Sequence, residues 1–393
     1  MSGGRAGALA AIFLAALAFR PQIVGAGPLF PLVQDDLGVS HAVVGLLGTI
    51  PVLCMGLFAP PAGWVAGRTG TRLAITLCLG LIAGFGIARA LVPEAALLVA
   101  LTFPVGVGMG LAGALLPVAV KEHFPDRPGF ATGVYATGIQ VGSGASSMLS
   151  VPIAHAAGGW RASLLTFSVA TVGLLAAWVL FTRGGPGRPV ERLPLPRPPL
   201  TSPLGWHLVL VFALMGLGYY GLNAWLPASY VERGWSEASA GALLGVLNVA
   251  AIPASLLVPW LSDRAGSRRG YLGACGLLLV GGLLGLVLAP GGAYVWSGVV
   301  GFANGAMFPL VLTLPLDVED RPARVGALVG MMLGVGYVLA ALSPFALGAI
   351  RDATGSFTGA LWVVVAVGAL WLIAVLPLSR RRLGLGSAPL PPG

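Results

Sequence analysis

The chain has 393 residues, 57% of them hydrophobic and only 9% charged, with a formal net charge of +9. That balance exceeds what a soluble domain carries without aggregating, so the chain reads as an integral membrane protein. Its basic residues fall in short loops between apolar stretches, where they orient a membrane protein and imply no nucleic-acid partner.

Charge, proline and glycine divide the sequence into twelve apolar segments. The spacing predicts spans over 7–33, 41–66, 72–92, 95–120, 129–156 and 160–182, then over 205–230, 237–261, 271–289, 293–316, 323–350 and 356–379. The longest polar and proline-rich stretch, RGGPGRPVERLPLPRPPLTSP, occupies 183–203. The chain therefore divides into a six-helix bundle over 1–183, a cytoplasmic linker over 184–204, a second six-helix bundle over 205–383 and a cytoplasmic tail over 384–393.

The first segment runs from Ala6 to Leu32 and carries Arg20 near its middle, followed by Pro21. An arginine at that depth costs at least about 2.5–3.5 kcal/mol on insertion scales, so it should face a protein interior or a wet cavity. Pro21 removes a backbone donor and should loosen the helix at the level of the charge. A fixed cation beside a weakened backbone suggests an anion site; the plainer reading is a brace between helices. Arg5, the apolar run and Ala16-Leu17-Ala18 mimic a secretory signal. Cleavage there would leave an odd number of spans and spoil the internal repeat.

Helix rise is about 1.5 Å per residue, which sets the other polar residues level with Arg20. These are Gln140 in the fifth span, Tyr219, Tyr220 and Asn223 in the seventh, Asn248 in the eighth, Asn304 in the tenth and Tyr337 in the eleventh. Their amides and hydroxyls could bind a small anion held by the guanidinium, or simply bond neighbouring helices. Thr49 and Met109 are weaker candidates, and Trp225 could shape a cavity or pack. All Asp, Glu and His residues fall at loops or span ends, which argues against a buried side-chain proton relay. Cys54, Cys78 and Cys275 lie inside spans at separations that match no metal motif, and no metal or cofactor is expected.

Positive charge is asymmetric. With the N-terminus inside, seventeen of the 22 Lys and Arg residues face the cytoplasm, while Arg89, Arg161, Arg233 and Arg351 fall on the outer side. Both termini are thus expected in the cytoplasm. The halves also repeat. GRTGTR at 67–72 and DRAGSRR at 263–269 lie 196 residues apart, and Asp126-Arg127-Pro128 and Asp320-Arg321-Pro322 lie 194 apart. Glycines in the fifth span (Gly133, Gly138, Gly142, Gly144) and the eleventh (Gly326, Gly330, Gly334, Gly336) suggest close contact between those two helices.

Twelve spans, a central linker and a G-x-x-x-D-R-x-G-R-R-like loop after spans two and eight resemble the major facilitator superfamily of secondary transporters. Arg20-Pro21, Gly27-Pro28-Leu29 and the stretch from Asp36 to Pro60 resemble its cyanate permease and 2-nitroimidazole transporter branch. The resemblance implies an all-α membrane fold of two pseudo-symmetric six-helix bundles in a bacterial inner membrane. It also implies loops that lock the halves on the cytoplasmic side in the outward-open state, here through Arg68, Arg72, Asp263, Arg264 and Arg268. Gly67 stands where the family usually has Asp.

The expected function is secondary active or facilitative transport of a small anion, cyanate-like or another oxyanion or carboxylate. It would proceed by alternating access in a monomer within the lipid bilayer, with Arg20 as substrate anchor. The alternative is efflux of neutral drug-like or nitroimidazole-type compounds. A receptor or scaffold would leave two near-equal halves around a polar midplane without a purpose. An embedded enzyme would need clustered His, Cys or acids that the sequence lacks. A nucleotide-driven pump is excluded because the only lysine, Lys121, precedes Glu122 and forms no phosphate-binding loop.

Overall fold

The computed structural model describes residues 3–124, 128–183, 199–265, 268–319 and 322–377. The expected linker therefore lies largely outside the described residues, as does the C-terminal tail. The described chain is helical, and eleven of its segments are long and apolar enough to cross a membrane. One more long helix, Pro128–Ala157, is diluted by Gly, Ser and Thr and falls outside that set. It takes the fifth of the twelve places in the order of long helices, and its serines turn inward. Ser143, Ser146, Ser147 and Ser150 are buried and bond carbonyls of the same helix.

The observed spans follow the charge and proline interruptions closely. Span 2 is His41–Phe58, continued by Ala62–Thr69; span 3 is Thr71–Leu91, span 4 Ala95–His123 and span 6 Trp160–Phe181. Span 7 is Pro203–Val231, span 8 Glu237–Ala265, span 9 Arg268–Leu288 and span 10 Ala293–Val318. Span 11 is Pro322–Ala340 with Leu342–Thr354, and span 12 is Phe357–Val375. Caps fix several of these starts: Ser40 Oγ accepts from Val43 N at 3.3 Å, and Ser202 Oγ from Gly205 N at 3.1 Å.

The two bundles meet along two seams. Span 5 packs against span 8 and against span 1, while span 2 packs against span 11. This corrects the expectation that the glycine-rich spans 5 and 11 approach each other. Their glycines serve different neighbours: Gly142 lies on the Leu17 carbonyl of span 1 and Gly144 on Val249 of span 8. Gly334 lies beside Gly56 of span 2, and Gly336 beside Phe212 of span 7. The repeat carries one seam onto the other, spans 5 and 8 at the first corresponding to spans 11 and 2 at the second, a pairing that one-dimensional glycine spacing does not encode.

Connectivity defines two faces. The start of span 1 at Gly3 defines the proximal face, and the ends of spans 1, 5, 7 and 11 lie on the opposite, distal face. The seam between spans 2 and 11 is close at its distal end. A Cβ on Gly348 would stand 2.6 Å from the His41 carbonyl oxygen, so span 11 reaches span 2 there only because that residue has no side chain. Trp225 closes the same region, its indole N–H donating to Pro344 O at 2.7 Å and its ring meeting Phe30 at 5.2 Å and Phe357 at 5.3 Å.

Candidate substrate-binding site

The first span is broken where Pro21 dictates. Helix Gly3–Leu17 ends, Pro21–Val24 forms one further turn, a 3-10 turn covers Gly27–Leu29, and Phe30–Leu37 completes the crossing. Pro21 has no N–H for the Leu17 carbonyl four residues earlier, so the helix cannot continue through it. Instead Ala18 N and Phe19 N turn back to Ala15 O at 3.2 Å and Ala16 O at 3.3 Å, the tighter bonding of a closing turn. Arg20 sits in this break. Gly142 allows span 5 to lie directly against it, since a Cβ there would come within 2.4 Å of Leu17 O.

The guanidinium crosses from one bundle to the other. Arg20 Nη1 donates to Tyr220 Oη of span 7 at 2.9 Å, with Cζ 5.8 Å from the Tyr220 ring centroid. Tyr220 in turn donates to Met55 Sδ of span 2 at 3.9 Å. Among the described residues no carboxylate bonds Arg20, and the side chain is half-buried rather than sealed.

Four further candidates join this centre. Tyr219 donates to Asn248 Oδ1 at 3.0 Å, Asn248 Nδ2 to Asn223 Oδ1 at 3.2 Å, and Asn223 Nδ2 to Tyr219 O at 2.8 Å, a closed ring of amides and hydroxyl between spans 7 and 8. The Tyr337 ring lies 6.3 Å from Tyr220 and edge-on to Phe212 at 4.9 Å. Two candidates stand apart. Asn304 spends its amide on Val300 O of its own helix at 3.0 Å, and Gln140 is half-buried on span 5 with no hydrogen bond to the cluster.

Sequence reasoning missed Arg89 and Gln22. Arg89 was expected on the outer side, yet it is 1% exposed in the last turn of span 3. Its Nη2 donates to Gln22 O at 2.9 Å and Gln22 Oε1 at 2.6 Å, and its Nη1 to Thr102 Oγ1 at 3.3 Å. Gln22 Nε2 then donates to Ser168 Oγ at 3.0 Å. The break at Pro21 creates the need, because Ala26 N turns to Ile23 O and leaves the Gln22 carbonyl for Arg89. A polar residue two positions beyond Arg20 was the available signal.

The loop arginines bond within their own halves. Arg68 stacks on Trp64 at 4.0 Å and Arg264 on Trp260 at 3.7 Å, the same four-residue spacing at repeat-related positions. Arg72 donates to Thr182 Oγ1 at 3.1 Å and Val179 O at 3.2 Å, and Arg268 pairs with Asp317 at 2.6 Å. The Asp263 side chain lies outside the described residues. Near Gly67, which offers no carboxylate, Glu122 accepts from Thr71 Oγ1 at 2.7 Å.

A family model described as Major Facilitator Superfamily matches residues 8–341. The chain is a member of the major facilitator superfamily. It is 31% identical to the cyanate transport protein CynX of Escherichia coli K12 over 89% of this chain and 91% of that one. It is 32% identical to the 2-nitroimidazole transporter of the same organism, over 96% and 94%. A probable nitrate/nitrite antiporter, NarK1 of Thermus thermophilus, is 29% identical over 95% and 93%. The fold matches the crystal structure of a bacterial homologue of the human lysosomal transporter Spinster, with a TM-score of 0.77 at 17% identity over 95% of this chain and 98% of that one. This major facilitator protein is thus an integral membrane transporter for a small molecule, not an enzyme, and is related to cyanate and nitrate/nitrite transporters.

Proposed function

We propose that the chain moves a small anion, cyanate-like or another oxyanion or carboxylate, by alternating access, with Arg20 as the anchor. One observation carries the reading: a half-buried guanidinium set in a broken span, aimed across the bundles at Tyr220, with a neutral hydroxyl as its bonded partner. A cation so placed lacks a counter-charge, and an anion would supply one. The planar fork suits carboxylate and linear oxyanion shapes, with Tyr219, Tyr220, Asn223, Asn248 and Tyr337 as the opposing wall. Gln140 and Asn304 would serve only after rearrangement. The cyanate and nitrate/nitrite names among the relatives favour the same chemistry.

A substrate bridging Arg20 and the tyrosines would draw the bundles together, which gives each state the differential contact that alternating access needs. The moving units are residues 1–183 and 205–383, joined by 184–204, in a monomer of the bacterial inner membrane with both termini, including the tail 384–393, cytoplasmic. Arg68, Arg72, Asp263, Arg264 and Arg268 would form the cytoplasmic lock when the distal face opens. The ring cluster of Tyr219, Tyr220, Tyr337 and Phe212 favours a second reading, efflux of neutral nitroimidazole-type compounds. Uptake of labelled cyanate, nitrate, short carboxylates and nitroimidazoles into proteoliposomes, with and without a pH gradient, separates the two. Transport of anions, saturable and abolished in Arg20→Ala, supports the proposal; transport of nitroimidazole alone replaces it with the second.

A further inference from the structure

The chain has four histidines, and two of them tie the bundles together on the distal face. His41, at the start of span 2, places Nδ1 2.7 Å from Asp352 Oδ1 at the end of span 11. The same carboxylate accepts from His41 N at 3.1 Å and Ala42 N at 2.9 Å, the free amides of the first turn of span 2. At the second seam, His155 Nε2 at the end of span 5 lies 2.8 Å from Glu237 Oε2 at the start of span 8. In both seams the imidazole belongs to the first bundle and the carboxylate to the second.

We propose that these two histidine–carboxylate pairs form a proton-operated latch that holds the distal face closed in acid and releases it as pH rises. Imidazole ordinarily titrates near pH 6.5, so it is the side chain whose charge changes in this range. Protonated, each histidine forms a charge-assisted bond with its carboxylate; neutral, it keeps at most an uncharged hydrogen bond. A tie that exists only when the faces are shut makes proton binding favour the shut state.

The surrounding charges leave this work to the histidines. Around His41 the packed elements bring Asp35 and Asp36 from the end of span 1, Glu94 from the start of span 4, Glu232 and Arg233 from the end of span 7, and Arg351 beside Asp352. Around His155 they bring Arg161 of span 6 and Asp36. Each arginine is engaged elsewhere: Arg351 with Glu232 at 2.9 Å, Arg161 with Asp36, and Arg233 with Leu286 O at 2.8 Å. Among the described residues, then, no guanidinium bonds Asp352 or Glu237. His41 is further held in register by ring contacts with Trp225 at 5.7 Å and Phe357 at 5.4 Å, so its position depends on the aromatic plug being closed.

Protons would bind and leave on the same face, so the latch gates the carrier without carrying protons across. It is independent of the substrate and of Arg20, and so is its test. Spin labels are placed at Ala96→Cys on span 4 and Val295→Cys on span 10, both exposed at the distal ends, after replacing the native cysteines. Distance distributions are then recorded in nanodiscs between pH 5.5 and 8.5. The ratio of closed to open populations should fall roughly 2- to 30-fold across that range, the span given by two part-exposed pairs of about 0.2–1 kcal/mol each. The shift should vanish in His41→Gln/His155→Gln, and also in Asp352→Asn/Glu237→Gln, which keeps both imidazoles. An unmoved distribution in the parent protein, or a shift that survives either double variant, overturns the latch.

Discussion

Arg20 and Arg89 are both arginines drawn away from water by the same bundle, yet their surroundings differ in kind. Arg89 is 1% exposed and gives its terminal nitrogens to Gln22 and Thr102, all within the first bundle. Arg20 is half-buried and, among the described residues, makes one hydrogen bond, to a hydroxyl that belongs to the other bundle. Depth alone therefore does not separate the proposed anchor from a brace. Arg20 turns its bonded donor toward the other bundle, whereas the terminal nitrogens of Arg89 are bonded within their own bundle, as in a brace, and only its buried Nε has no partner among the described residues. Arg89 bonds the carbonyl that the break at Pro21 frees in span 1, and Arg20 sits within that break.

That contrast can be broken by substitution. The largest effect should come from Arg20: Arg20→Ala should remove uptake entirely in proteoliposomes, and Arg20→Lys should lower it at least about tenfold, because a point charge does not replace a two-pronged fork. Both variants should keep the parent melting temperature. Arg89→Met should do the reverse. It strands the Gln22 oxygens at a cost on the order of 1–3 kcal/mol per unpaired buried group, so it should lower the melting temperature and abundance. Whatever folds should retain the parent KM.

Smaller effects sharpen the comparison. Gly142→Ala should both lower the melting temperature and depress uptake, because its methyl would press on Leu17 O, next to the break that carries Arg20; overpacking of this kind costs about 1–3 kcal/mol. Tyr220→Phe should raise KM roughly threefold to tenfold while leaving the fold intact, since it removes one hydroxyl facing Arg20. Asn304→Ala should be the mildest, within about twofold of the parent, because its amide is spent on its own helix. A strong loss of uptake in Asn304→Ala would show that the tenth span joins the site in another state.

Much of this was legible in the sequence, because a bilayer restricts the alternatives. Apolar runs interrupted by charge gave spans close to those observed, and Pro21 marked the break in span 1 before any coordinate did. Tyr219, Asn223 and Asn248 were chosen by depth alone and form one bonded ring. Depth does not specify rotation about a helix axis, and Asn304 bonds its own helix outside that ring. The burial of Arg89 was not legible because a charge next to Val92-Pro93-Glu94 looks like the edge of a loop. Only the partner from span 1 reveals it as interior. The pairing of spans 5 with 8 and 2 with 11 is likewise a relation between bundles, invisible to glycine spacing within one helix.

The most direct measurement is ligand-induced thermal stabilisation of the purified protein by cyanate, nitrate and acetate, in the parent, Arg20→Lys and Arg20→Ala. The account predicts saturable stabilisation of the parent by at least one of these anions, weakened in the lysine variant and absent in the alanine variant. Equal stabilisation of all three proteins would contradict it.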